Sequence, residues 1–198
     1  MQLFGLELFQ ILTIGLLNGW ILLAIFYSIE LVLVLSFPKG TRRRLFEYDH
    51  SKWTKQHRII LLIGKTFALI IIILIVFSPL KLGSTVFYLG MIFYIIGVAG
   101  FIMAIINYRN TPIDQPVTRG FYRYSRNPQV LTILIIMLGI SLTVGSGIFL
   151  IVLLLSAILS RVRIIEEEKA CLEQYGDAYR EYMERVPRYL IIRTKIPE

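Results

Sequence analysis

Long apolar runs alternate along the chain with short polar segments that are mostly basic. The first run extends from Phe9 to Phe37 and is closed by Pro38-Lys39-Gly40. Asn18-Gly19 and Ser28 interrupt it, and Glu30 lies toward its far end. The second covers 59–80 and stops at Ser78-Pro79. A tight connection from Lys81 leads into the third, 85–106. After a polar stretch over 107–128 the chain is apolar again to residue 160, but Gly145-Ser146-Gly147 splits that run into arms over 129–144 and 147–160. At about 1.5 Å per residue each arm falls a little short of a ~30 Å hydrocarbon core. The pattern therefore predicts a tight helical hairpin that enters the membrane and returns. One long tilted helix is the alternative, and the Gly-Ser-Gly punctuation argues against it. From Arg161 the pattern becomes amphipathic: a helix running on through Glu166 to Tyr175, then a second one capped by Asp177, continuing through Arg185 and stopped by Pro187. Tyr175, Tyr179 and Tyr182 line one side of this region, as for a membrane interface. The expected fold is an all-α integral membrane bundle, a single domain over 1–198. It has five transmembrane helices, the last two a hairpin, and amphipathic C-terminal helices.

Composition agrees: 56% of the 198 residues are hydrophobic, far above a soluble domain. The net charge of +8 would suggest nucleic acid in a soluble chain. Here the basic residues flank apolar runs, so they are read as setting topology and meeting anionic lipid, and no nucleic-acid partner is expected. Of 21 Lys and Arg, seven lie in 38–58, four in 107–128 and eight in 161–198. Five crossings put those three segments on one side, which makes them cytoplasmic and the N-terminus external. The first run lacks a basic leader and is too long for a signal-peptide core, so it is expected to be a retained span. Cys171 is the sole cysteine, and His50 and His57 form no cluster with metal-ligand spacing, so no metal is expected.

Several positions stand out within that frame. Glu30, a lone acid in an apolar run, either turns into the bundle as a functional group or reaches the interface by the basic loop. Residues 38–58 form a charged loop in which Trp53 suits the headgroup level and the Arg42–Arg44 run either grips a lipid phosphate or only fixes orientation. Lys65 can snorkel. Gly90 and Gly97 share one helix face on which another backbone can approach closely.

The candidate chemistry lies in two polar patches that the topology places at the same edge of the bilayer. In 114–128, Pro116, Gly120 and Pro128 imply irregular backbone, tolerated at membrane depth only where it is buried in protein or lines a cavity. Tyr122 and Tyr124 offer flat faces for a heterocycle or a cation. In the second patch Arg163 and Glu167 share a helix face. They form either a solvated ion pair or a divided pair, with the carboxylate for a cationic or hydroxylated cofactor and the arginine for an anionic substrate.

The blocks VTRGFYRYSRNP, RVRIIEEE and QYGDAYREYMERVPRYL, separated by the hairpin, together resemble the isoprenylcysteine carboxyl methyltransferases. They are also similar to the wider group of small membrane methyltransferases that includes phospholipid N-methyltransferases. The resemblance covers residues 105–190; the first two spans carry no such motif. It implies S-adenosylmethionine as methyl donor and S-adenosylhomocysteine as product. By position, Asp114, Gln115, Pro116, Val117, Tyr122, Asn127, Pro128, Gln129 and Val130 look like cofactor-binding residues. Glu167 looks like the second Glu of the family's acidic pair, and Asn107 like a further contact. Arg163 looks like the catalytic-site arginine beside the substrate carboxylate. Two positions depart from the family pattern: Asn127 replaces a His and Val130 a Tyr. Asn cannot titrate near neutral pH, which disfavours amine methylation slightly more than carboxyl methylation.

The expected reaction is an in-line displacement, in which the protein positions the reactants and excludes water. The expected acceptor is lipophilic, a prenylated cysteine carboxylate first and a phospholipid amine or another small lipophilic acid second, entering from the bilayer. Two other readings compete. Membrane sterol reductases resemble this family in their C-terminal part but use NADPH, whose 2′-phosphate Arg119, Arg123 and Arg126 could hold. A lipid-binding membrane protein without catalysis is the other.

Overall fold

The computed structural model describes residues 2–3, 6–8, 11–46 and 54–190; Phe9, His50, Lys52, Trp53 and the tail from residue 191 lie outside them. Within these residues the protein is helical. The helices are α1 (Trp20–Leu35), α2 (Lys39–Phe46), α3 (Lys55–Val76), α4 (Thr85–Arg109), α5 (Pro128–Val144), α6 (Gly147–Tyr175) and α7 (Asp177–Arg185), with a 3-10 turn at Gly120–Arg123. Two short strands, β1 (Gln2–Leu3) and β2 (Leu6–Glu7), pair antiparallel. Glu7 donates its amide to the Gly145 carbonyl (2.9 Å) and pairs with Lys81 (2.8 Å), so this strand lies at the hairpin tip.

Local signals account for the helix ends. Thr54 and Ser84 accept backbone N–H bonds from His57 and Phe87 at the starts of α3 and α4. Pro128 opens α5, and Gly145, left-handed at φ 69°, closes it and turns the chain into α6. The hairpin expected from Gly145-Ser146-Gly147 is thus present, and α6 continues unbroken from it to Tyr175.

Helices α4 and α5 pack backbone to backbone. A Cβ at Gly90 would sit 2.6 Å from the Gly139 carbonyl oxygen, and one at Gly97 would sit 2.8 Å from the Ile136 nitrogen. Small residues allow this approach, and dispersion between the close-packed backbones holds it. Helix α1 crosses them: Tyr94 donates to the Leu22 carbonyl (2.7 Å), and Phe26 meets Phe101 edge-on with centroids 5.1 Å apart. Helices α3, α4 and α6 are long and apolar enough to cross a membrane, whereas α1 and α5 are shorter. Leu62, Ile95 and Leu154 on those three helices are each more than half exposed. Such a belt is stable only against lipid or another apolar surface.

Three expectations need correction. The first apolar run is not helical throughout, since the helix begins only at Trp20. Asn18 donates to the Thr13 (2.7 Å) and Val76 (3.4 Å) carbonyls, and Gly19 N–H bonds Ser78 O (2.9 Å). The preceding stretch therefore pairs with the end of α3 instead of coiling, as an Asn side chain that competes for backbone groups allows. The charged loop, for its part, contains a helix, α2, whose basic residues give no apolar periodicity. Asp177 is the first residue of α7 and not its cap, a position taken by Gly176.

Candidate active site

The connector between α4 and α5 builds one wall of a cavity. It turns back at Gly120, whose φ of 61° suits glycine and whose Cα is pressed against the Asn107 amide, where a Cβ would clash. Asn107 is thereby fixed beneath the turn, and its carbonyl accepts a bond from Thr111 Oγ1 (2.8 Å). Beyond the turn, Val117 and Tyr122 are buried. The Tyr122 hydroxyl accepts a bond from Gln129 Nε2 (2.9 Å), tying the connector to the first turn of α5.

Helix α7 folds back over this connector. Tyr179, Tyr182 and Met183 pack on Val117 and Tyr122, and Tyr182 donates to the Tyr122 carbonyl (2.8 Å). Burial pushes the Tyr179 and Tyr182 hydroxyls well above the usual phenol range, so both stay neutral donors. These tyrosines do not form the membrane-facing stripe that their spacing suggested. The connector offers an apolar surface nearer than the bilayer.

A buried ion triad locks the arrangement. Glu168 on α6 accepts from Arg188 through Nε (3.0 Å) and Nη2 (2.6 Å), and Arg126 Nε lies 3.3 Å from its other oxygen. All three side chains are almost fully buried. Burial pulls the Arg126 guanidinium below its usual value, and Glu168 opposes that shift. The backbone repeats the connection: Arg126 N–H donates to Pro187 O (3.0 Å), while Ser125 Oγ (3.0 Å) and Asn127 Nδ2 (3.4 Å) donate to Arg188 O.

Between these walls, α1, α3 and α6 lies a cavity of about 640 Å³, within the size range of small-molecule sites. Of the residues singled out from sequence, Pro116, Val117, Tyr122, Asn127, Gln129, Val130, Arg163 and Glu167 line it. Asn107, Asp114, Gln115 and Pro128 do not. Asp114 and Gln115 are exposed on the rim, and Pro128 is buried behind the wall. Tyr124 is 63% exposed and offers its face to no ligand here. Arg119 and Arg123 are exposed outside the cavity, and Arg126 is committed to Glu168. Of Arg119, Arg123 and Arg126, only Arg126 lines the cavity.

Other lining groups were not assigned to this site from the sequence. Arg44 arrives from α2, Glu30 from α1 and Lys65 from α3, and Tyr108 and Tyr175 add aromatic faces. The Arg42–Arg44 run and the lone Glu30 were visible as signals, but which of them reached a site depends on long-range packing. Glu167 carries a carboxylate into the cavity and is paired with Arg163 Nε at 3.2 Å. A carboxylate and aromatic faces together suit a ligand with a flat ring, hydroxyls and a positive charge.

A second cavity of about 300 Å³ opens between α1, α3, α5 and α6, walled mainly by apolar side chains such as Leu134, Met137, Phe149 and Leu153. Leu61, Lys65, Val130, Ile133 and Arg163 border both cavities. The larger, more polar chamber and the apolar groove thus adjoin along a shared wall that carries two cations, Lys65 and Arg163.

Comparison with curated proteins and with solved structures gives no match. A family model described as phospholipid methyltransferase matches residues 59–178, more than half of the chain, from the start of the second apolar run to the first turn of α7. By this match over residues 59–178 the chain, helical throughout that segment's main elements, belongs to the phospholipid methyltransferase family of membrane methyltransferases.

Proposed function

We propose that the protein transfers a methyl group from S-adenosylmethionine to the head group of a lipophilic acceptor at the cytosolic edge of the membrane. The observation that carries this reading is the junction of the polar chamber and the apolar groove at Lys65 and Arg163. A nucleoside-sized ligand and a lipid chain need chambers of opposite character, and their reacting ends must meet. When bound, the donor supplies an electrophilic methyl on sulfur, which leaves without metal or acid assistance.

The residues divide the remaining work. Glu167 and the 116–117 backbone hold the donor's polar groups, with Tyr122, Asn127, Gln129 and Val130 forming the wall beside it. Asn107, Asp114, Gln115 and Pro128 support that wall from outside. Arg163 spends its Nε on Glu167 (3.2 Å), which leaves its remaining N–H groups for an acceptor carboxylate. The preferred acceptor is the C-terminal carboxylate of a prenylated cysteine. It is ionised at neutral pH and needs no base: its oxygen bonds the methyl carbon as the carbon–sulfur bond breaks, and that electron pair stays on sulfur.

A second reading, a phospholipid amine acceptor, is favoured by Glu30. This carboxylate lines the chamber and has no hydrogen-bond or ion-pair partner among the described residues. An ammonium head group would have to pass a proton to such a base before its nitrogen could attack. Orientation follows from charge: α2, the 107–128 connector and the end of α6 gather at one end of the bundle, supporting five crossings with that end cytoplasmic and the N-terminus external.

A labelled-methyl transfer assay with N-acetyl farnesylcysteine and phosphatidylethanolamine tests the acceptor. Label on the prenylcysteine, lost in Arg163→Ala and kept in Glu30→Gln, is the expected result. Label on the amine lipid alone, lost in Glu30→Gln, would replace it with the second reading.

A further inference from the structure

Two arginines of α2, Arg42 and Arg44, behave differently. Arg42 turns back to its own neighbourhood, donating to the Phe37 carbonyl (3.4 Å). Arg44 crosses the molecule: its Nη1 donates to Pro112 O and its Nη2 to Gln115 O, both at 3.1 Å. The same guanidinium lies over two rings, 4.9 Å from the Tyr108 centroid and 5.6 Å from that of Tyr175. Two further contacts join the same parts. A Cβ at Gly40 would fall 2.6 Å from Ile113 Cδ1, so α2 rests directly on the connector. Tyr175 in turn donates its hydroxyl to the Ile113 carbonyl (3.2 Å).

Residues 112–115 are therefore gripped from both sides, and the chain then runs directly into Pro116 and Val117 in the chamber wall. The backbone here is irregular and has no ladder of its own, so its position depends on these side-chain bonds. Arg44 also lines the chamber, and it lies outside the 59–178 segment that carries the family match.

We propose that Arg44 is a positioning residue that clasps α2 to the connector across the mouth of the chamber, and that this clasp sets how long the bound donor or its product stays. The inference rests on reading the chamber as the S-adenosylmethionine site. The clasp uses a planar fork that bridges two carbonyls while stacked between two rings. A lysine keeps the charge but cannot do this. The structural consequence falls on dissociation, because a wall that opens more often releases what it covers.

The experiment uses the full chain in nanodiscs. S-adenosylhomocysteine dissociation is measured by stopped-flow for wild type, Arg44→Ala, Arg44→Lys and Tyr175→Phe, alongside hydrogen exchange of 111–117 without ligand. Expected are dissociation about tenfold faster in both Arg44 variants, a smaller change in Tyr175→Phe, and faster exchange at 111–117 in all three. Wild-type dissociation in Arg44→Ala would overturn the role in retention, and full rescue by Arg44→Lys would overturn the fork geometry. Absence of any S-adenosylhomocysteine binding to the wild type removes the donor reading itself. Exchange at 111–117 then decides the clasp alone, unchanged exchange in Arg44→Ala counting against it.

Discussion

Glu168 carries two arginines at once, and its burial makes it the residue on which the site's geometry depends most. Removing one partner from a buried ion group leaves charge without compensation, at a cost of about 3–5 kcal/mol. Glu168→Gln should lower stability by about that much in denaturant unfolding of the detergent-solubilised protein; a loss below ~1 kcal/mol would mean that the triad is hydrated and replaceable. The sequence showed Glu166, Glu167 and Glu168 as one acidic cluster. Helical spacing separates them: Glu166 faces His57 (3.0 Å), Glu167 faces Arg163 and the chamber, and Glu168 faces the buried arginines. Motif position pointed to Glu167, and the structure places both Glu167 and Glu168 in the chamber wall. The partner of Glu168 was not legible, because Arg188 is twenty residues away and is brought in by the turn after α7.

At the level of elements, the glycine face of α4 was readable as a site of close backbone approach, and α5 is what approaches. A Cβ at Gly139 would meet the Tyr94 nitrogen at 2.5 Å, backbone that cannot give way. Gly139→Ala should therefore lower stability by about 1–3 kcal/mol in thermal unfolding. Gly64→Ala should be neutral or slightly stabilising, since its nearest neighbour is the Leu159 Cβ at 3.9 Å and alanine favours helix. Equal effects at both positions would contradict the packing. Helix α2 was not legible in advance. An 8-residue segment rich in Lys and Arg has no apolar stripe, and its fold is fixed by what Arg44 and Gly40 touch. Residues before Trp20 misled for the opposite reason: they are apolar enough for a span, but Asn18 diverts their hydrogen bonds.

For the whole molecule, the segregation of Lys and Arg into three segments has a structural counterpart among the described residues: Arg44, Arg126 and Arg163, one from each segment, line one chamber. Order along the chain could not reveal the apolar groove beside it, since its walls come from four helices, α1, α3, α5 and α6, whose relative rotation is set only by packing. The same limit hid Lys65, which reads as a snorkelling residue in isolation but borders both cavities.

Calorimetric titration of S-adenosylhomocysteine into the purified protein reports whether the chamber holds S-adenosylmethionine against Glu167. Saturable binding to the wild type is expected, with a loss of at least about tenfold in affinity in a folded Glu167→Ala variant, and near-normal affinity in Arg163→Ala with turnover impaired. Undiminished affinity in Glu167→Ala would contradict the assignment of that residue, and tighter binding of NADPH than of S-adenosylhomocysteine would contradict the reaction.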